Sequence, residues 1–302
     1  MPNLLTIDLL HLGRPRVIAG YALPGEGLLL VDPGPAIALP ALEAGLAAHG
    51  QTLADLRGIL LTHIHLDHAG GTGTLLARYP GVQVFVHERG APHVVDPTRL
   101  LASAGRLYGD RMATLYGAVL PVPQANVNVL QGGETLAVAG RAFRVLYAPG
   151  HAAHHVIYQN QADGAVFVGD VAGLRSPLAT YVRPATPPPE IDLDLWETTL
   201  DNLLALDPQA LCLTHFGVFT DVQRHIAEQR ENHARWGTAV RAALLSGADE
   251  ASQLEQLRAF VHEDLGTHVD PAIRAEYETA SPLALNVAGL MRYWRKRDPA
   301  LA

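Results

Sequence analysis

The chain has 302 residues, 48% hydrophobic and 17% charged, enough for one large or two smaller folded domains, and this composition excludes general disorder. A formal charge of −8 gives no long-range attraction for phosphate backbones, so nucleic acid is not an expected partner. The single cysteine, Cys212, rules out a disulfide framework within the chain and agrees with a reducing, cytoplasmic setting.

Residues 4–10 read as a first strand. They do not read as a signal peptide, because a basic start, a long apolar run and a small-residue cleavage site do not occur together. No apolar stretch has the length needed to span a bilayer. Residues 27–31 (GLLLV) form a short buried strand, closed by the turn DPGP at 32–35. Helical spacing over 39–49 ends at Gly50. Residues 58–61 form another apolar strand and run straight into THIHLDHAGG. A helix over 73–79 and a strand over 82–86 (VQVFV) follow, then a helical stretch over 97–116. Strands come next at 127–130, 135–138, 143–147, 156–158 and 166–168. The proline-rich segment 175–190 is loop, residues 190–206 are helix, and 210–213 form a last short strand. Beyond 219 the chain reads as helical, in about three segments. The expected organisation is therefore a layered α/β domain over 1–219 and a helical C-terminal extension over 220–302.

The chemistry concentrates in H-x-H-x-D-H, formed by His63, His65, Asp67 and His68. Neutral imidazole and carboxylate suit zinc and similar divalent metals. Residues i and i+2 at the end of a strand project to one side, so His63 and His65 can grip one ion. A turn then carries Asp67 and His68 to the other side, toward a second ion. One cluster cannot complete two sites. Three further donors occur: His151 in YAPGHAAHH, Asp170 in VFVGDVAG and His215 in LCLTHFG. Each stands just past the C-terminal end of a short apolar strand, where open α/β sheets collect functional side chains.

H-x-H-x-D-H followed by P-G-H, G-D and T-H resembles the metallo-β-lactamase fold superfamily of hydrolases, over roughly residues 4–217. The resemblance implies an α/β fold of the four-layer αβ/βα sandwich type. It also implies a site for two divalent metal ions, most readily Zn, with Mn or Fe as alternatives. The first ion would take His63, His65 and His151, and the second Asp67, His68 and His215, with Asp170 bridging. Asp67 would also orient the attacking water and so be the catalytic residue. Asp32 in VDPG matches an early aspartate that supports the site from behind; starting a turn explains it equally well. Thr62 and Thr214 precede ligand histidines and would orient them. His155 occupies a position where the family often carries a supporting histidine. His154 either faces solvent or affects the choice of substrate or metal.

The ligand set is more similar to the glyoxalase II-like and lactonase-like branches than to the β-lactamases that use a cysteine ligand and lack the bridging aspartate. A small-molecule ester, thioester or lactone is thus the expected substrate. A phosphodiester, or a thiol or persulfide oxidised on iron, is the alternative on the same fold. In the loop after Asp170, Tyr181 is placed to assist a leaving group and Arg175 and Arg183 to meet an anion. Tyr108 and Tyr116 lie in the helical insertion and read as core packing. The basic stretch MRYWRKR, with Arg292, Arg295, Lys296 and Arg297, either meets a carboxylate or phosphate or complements its helix dipole. The C-terminal helices could also mediate a homodimer.

Overall fold

A computed structural model describes residues 4–301 of the chain. The described strands form two six-stranded sheets. The first contains β1 (Leu5–Asp8), β2 (Ala19–Gly25), β3 (Gly27–Val31), β4 (Leu56–Leu60), β5 (Gln83–His87) and β6 (Val127–Leu130), side by side in chain order. β1 to β3 run antiparallel and β3 to β6 parallel. Parallel pairing demands crossovers. These carry α1 (Leu39–Ala48), α2 (Leu66–Ala69), α3 (Thr72–Arg78), α4 (Ala91–Val95), α5 (Thr98–Tyr108) and α6 (Met112–Tyr116).

The second sheet contains β7 (Thr135–Val138), β8 (Arg141–Tyr147), β9 (Val156–Asn160), β10 (Ala165–Gly169), β11 (Ala210–Leu213) and β12 (Gly217–Phe219). Only β10 and β11 pair in parallel, and α7 (Leu193–Leu204) crosses between them. The chain ends in α8 (Val222–Leu245), α9 (Glu250–His268), α10 (Arg274–Ala280) and α11 (Leu283–Arg297).

The short apolar runs are strands buried on both faces. Leu29 and Val31 of β3 meet Phe143, Val145 and Phe167 between the sheets, while Leu28 and Leu30 pack under α1 and α3. β10 divides likewise: Phe167 faces inward, and Val166 and Val168 face the layer of α7 and α8. Side chains alternate along a strand, so a continuous apolar run supplies two cores at once. The four layers are those of the expected αβ/βα sandwich.

Four features depart from the sequence reading. β2 was not expected, because AGYALPG carries two glycines and a proline, which mark loops more often than strands. β12 has three residues, too few for a pattern. The helical stretch 97–116 breaks at Gly109, whose φ of +52° a helix does not tolerate, and the C-terminal region has four helices.

The C-terminal helices share a core with the second sheet. Trp236, Val240 and Leu290 pack with Trp196 and Leu200 of α7 and with Leu211 and Leu213 of β11. The end of the sequence-defined first segment, residue 219, falls between β12 and α8, and apolar packing is continuous across it. α11 also backs the proline-rich loop. The Thr186 amide donates to Asn286 Oδ1 at 2.6 Å, and Arg292 Nε donates to the Pro189 carbonyl at 3.2 Å. Among the described residues no helix is long and apolar enough to cross a membrane.

Candidate metal centre

Four strand ends deliver the candidate ligands to one edge of the sandwich. His63 follows β4, His151 follows β8, Asp170 follows β10 directly, and His215 follows β11. The backbone laces the two sheets together there. The Ala19 amide donates to the Thr214 carbonyl and the Val156 amide to the Thr62 carbonyl, each at 2.8 Å. Gly169 turns the chain into Asp170 with φ +50°. A Cβ at that position would stand 2.5 Å from both His155 Nε2 and Thr62 Oγ1, so only glycine fits.

The donor atoms fall into two groups: His63, His65, His151 and Asp170, and beside them Asp67, His68 and His215. Within each group they lie within 4.8 Å of one another. Asp170 belongs to both by geometry. Its Oδ2 is 3.4 Å from His151 Nε2, while its Oδ1 is 3.1 Å from His68 Nε2 and 3.6 Å from His215 Nε2. Asp67 Oδ2 lies 3.4 Å from His215 Nε2.

Four of the five imidazoles of the cluster are held from the outer nitrogen. His151 Nδ1 donates to the Ala185 carbonyl at 2.8 Å, and His215 Nδ1 to the Val17 carbonyl at 2.7 Å. His68 Nδ1 donates to Asp32 Oδ2 at 2.8 Å. The Thr62 hydroxyl donates to Asp32 Oδ2 at 2.7 Å and so is left to accept from His63 Nδ1 at 3.1 Å. These contacts set the tautomers and leave Nε2 facing inward, the arrangement that orients metal-binding histidines. His65 differs: its Nδ1 faces His151 Nε2 at 3.0 Å.

Asp32 is the hub behind this array. It is fully buried and also accepts from the Thr62 amide at 2.9 Å and the Thr214 hydroxyl at 3.0 Å. Of the two readings of Asp32, the supporting one matches this geometry. His155 is buried too. Its ring stacks on His63 with centroids 4.7 Å apart, and its Nε2 accepts from the Asp170 amide at 3.3 Å. Thr62 and His155 thus touch the cluster from outside, and Thr214 reaches it through Asp32.

Residues 15–215 match the sequence profile of the metallo-beta-lactamase superfamily. The chain belongs to that superfamily. A hydroxyacylglutathione hydrolase from Bradyrhizobium sp. (strain ORS 278) is 30% identical over 279 residues, covering 88% of this chain and 92% of its own. A metallo-beta-lactamase fold-containing protein from Sulfurisphaera tokodaii is 29% identical over 208 residues, covering 68% of this chain and 74% of its own. Hydroxyacylglutathione hydrolase of Synechococcus sp. (strain JA-3-3Ab) reaches 36%, yet over only 45% of this chain and 41% of its own. Among solved structures, a metallo-beta-lactamase family protein from Thermus thermophilus superposes with a TM-score of 0.72 at 27% identity, covering 98% of this chain and 94% of that one. Superfamily membership makes the chain a metal-dependent hydrolase by class, and the His/Asp cluster fits a metal site.

The donor set of this superfamily member fits a cation on its own terms. His63 Nε2 and Asp170 Oδ1 are buried and form no hydrogen bond. Burial, then His68 and His65, keeps His63 neutral well below the ordinary imidazole range, and burial with His151 brings His65 down to about 3. At His68 burial also favours the neutral form. There, however, Asp170, Asp67 and Asp32 outweigh it and raise the ring well above its usual value. Carboxylates that draw protons onto neighbouring imidazoles are a locus for positive charge.

Above the cluster is a cavity of about 200 Å³, with His65, Asp67, Asp170 and His154 at its floor. His154 therefore faces the cavity, stacked parallel to His63 at 6.0 Å, and the solvent-facing reading is set aside. Tyr108 and Tyr116, read as core packing, line the cavity, as does His93, which the sequence reading did not single out.

Tyr181 and Arg175 are not among the lining residues. The Tyr181 hydroxyl donates to Asp264, and its ring stacks on His268. Arg175 is drawn to Asp221, at 2.8 Å and 3.0 Å, over the ring of Phe219. Arg183 is buried against Glu278, at 2.8 Å. All three tie the proline-rich loop to the C-terminal helices, because each finds a partner there.

Proposed function

We propose that the protein is a cytoplasmic hydrolase with two divalent ions, zinc by preference and manganese or iron otherwise, acting on a small-molecule ester, thioester or lactone. The observation that carries this reading is Asp170, whose two oxygens face different groups of histidines. In it His63, His65 and His151 hold one ion, Asp67, His68 and His215 the other, and Asp170 both. Ions bound there would lower the pKa of a water and polarise a carbonyl oxygen.

Asp67 lines the cavity beside His65 and Asp170, its side chain 23% exposed. Its carboxylate can accept a hydrogen bond from the attacking water and so orient it. Asp32 fixes the direction of His68, and the Thr62 hydroxyl that Asp32 anchors does the same for His63. His154 stands at the cavity floor with an unpartnered Nδ1. The thioester option is supported by the relative named hydroxyacylglutathione hydrolase, aligned over most of both chains. The charge of −8 and a cavity of about 200 Å³ favour a small substrate over nucleic acid.

Elemental analysis with a substrate screen tests the proposal. About two equivalents of metal are expected, falling to about one or fewer in Asp170→Ala. Thioesters, lactones, phosphodiesters and β-lactams would be screened with each metal form, and oxygen uptake followed with a persulfide. Less than roughly half an equivalent after supplementation sinks the binuclear reading. Oxygen uptake without hydrolysis sinks the hydrolase.

A further inference from the structure

The walls of the cavity come from parts of the chain that the metal cluster does not use. Leu100, Ala104 and Leu107 of α5 form one side. The proline run 187–189 forms another, continued by Pro282 and Leu285 at the start of α11. The proline wall is rigid by chemistry and is backed by α11 through Asn286 and Arg292. Apart from the cluster and its neighbouring imidazoles, the charged lining residues are Arg99 and Glu190, both exposed.

The basic residues of the C-terminus lie elsewhere. Arg258, Arg292, Arg295 and Lys296 line a separate groove beside Leu254 and Met291, and no residue is common to the two cavities. A glutathione thioester carries two carboxylates and an ammonium group. A site that selects it has to meet those charges with opposite ones. Away from the cluster this cavity is instead walled on two sides by apolar side chains, with Ser103, Ser281, Tyr108 and Tyr116 as uncharged polar lining.

We propose that the cavity takes a substrate whose acyl part is a straight apolar chain, laid between α5 and the proline wall, and not an ionic tripeptide carrier. This rests on the hydrolase reading, which places the substrate carbonyl at the cluster. Chain methylenes then leave water against Leu100, Ala104, Leu107 and Leu285, and each contributes roughly a fourfold gain in affinity. A preformed wall adds to this by requiring little ordering on binding.

The test is calorimetric titration of the metal-loaded protein with straight-chain carboxylates from butanoate to decanoate, alongside S-methylglutathione. Affinity should rise about three- to fourfold per methylene, and S-methylglutathione should bind more weakly than decanoate. Leu107→Asp and Ala104→Trp should each flatten the series, the first by placing charge at the mouth and the second by filling the slot. Leu107 is 40% exposed, so its replacement leaves the core packing in place, and circular dichroism checks both variants. Equal affinity across the series, a slope unchanged in both variants, or tighter binding of S-methylglutathione overturns the proposal. Acyl thioester hydrolysis, measured in parallel, separates the two readings. A steep series without turnover of any carbonyl substrate supports the slot and sinks the hydrolase. Turnover with a flat series sinks the slot alone.

Discussion

Asp32 shows how one buried carboxylate can hold a metal site it does not enter. It accepts from the Thr62 amide, the hydroxyls of Thr62 and Thr214, and His68 Nδ1. Thr62 belongs to the first sheet's edge and Thr214 to the second's, so Asp32 also ties the sheets together. Asp32→Ala strands several buried donors and is expected to cost about 3–5 kcal/mol, read from urea denaturation. It should also weaken metal binding by roughly 10–100-fold, read by chelator competition. The groups that hold the site from behind were only partly legible in the chain. Thr62 and Thr214 stand directly before ligand histidines and Asp32 opens a turn motif, but Ala185 and Val17, which hold His151 and His215, act through backbone carbonyls, and no sequence pattern marks a carbonyl.

The elements that shape the cavity meet at α11. A Cβ at Gly289 would stand 1.9 Å from the Thr186 carbonyl oxygen and within 3.0 Å of Pro188 N, so glycine is what lets α11 approach the proline-rich loop. Gly289→Ala is expected to push helix and loop apart, destabilising the fold by about 1–3 kcal/mol in thermal or urea unfolding. Substrate affinity should fall with it, because Pro282 and Leu285 shift with the same helix. Strands such as β3 and β10 were readable because apolar runs bounded by turns have few alternatives. β2 was not, since its residues became a strand only by pairing with β1 and β3.

At the scale of the molecule, the space between the sheets holds tyrosines whose hydroxyls both serve the backbone. Tyr21 donates to the carbonyls of Leu213 and Gly217, and Tyr158 to that of Leu61. Burial, with Cys212 near Tyr21 and Asp32 near Tyr158, raises both phenols well above their ordinary value of about 10. A folded pKa above the unfolded one means the folded state keeps the proton longer. Their stabilisation is complete below about pH 10 and declines as the pH climbs further. Alkaline titration should show tyrosinate absorbance from these two residues only as the protein unfolds. Tyrosinate appearing in the native state at ordinary pH values for phenol would contradict their burial.

What could be known from the chain alone was local. H-x-H-x-D-H, P-G-H, G-D and T-H name their donor atoms outright, and the apolar runs before them name the strands, because both signals lie within a few consecutive residues. Which donors share a group and which way each imidazole points depend on contacts between residues far apart in the chain. His151 reaches Ala185, His215 reaches Val17, and Asp170 stands between two sets of histidines. The same holds for the substrate side. Tyr181 and Arg175 sit in the loop that sequence proximity favoured, yet the C-terminal helices draw their side chains away. The cavity is instead walled by residues near 100, 188 and 283, which only folding brings together.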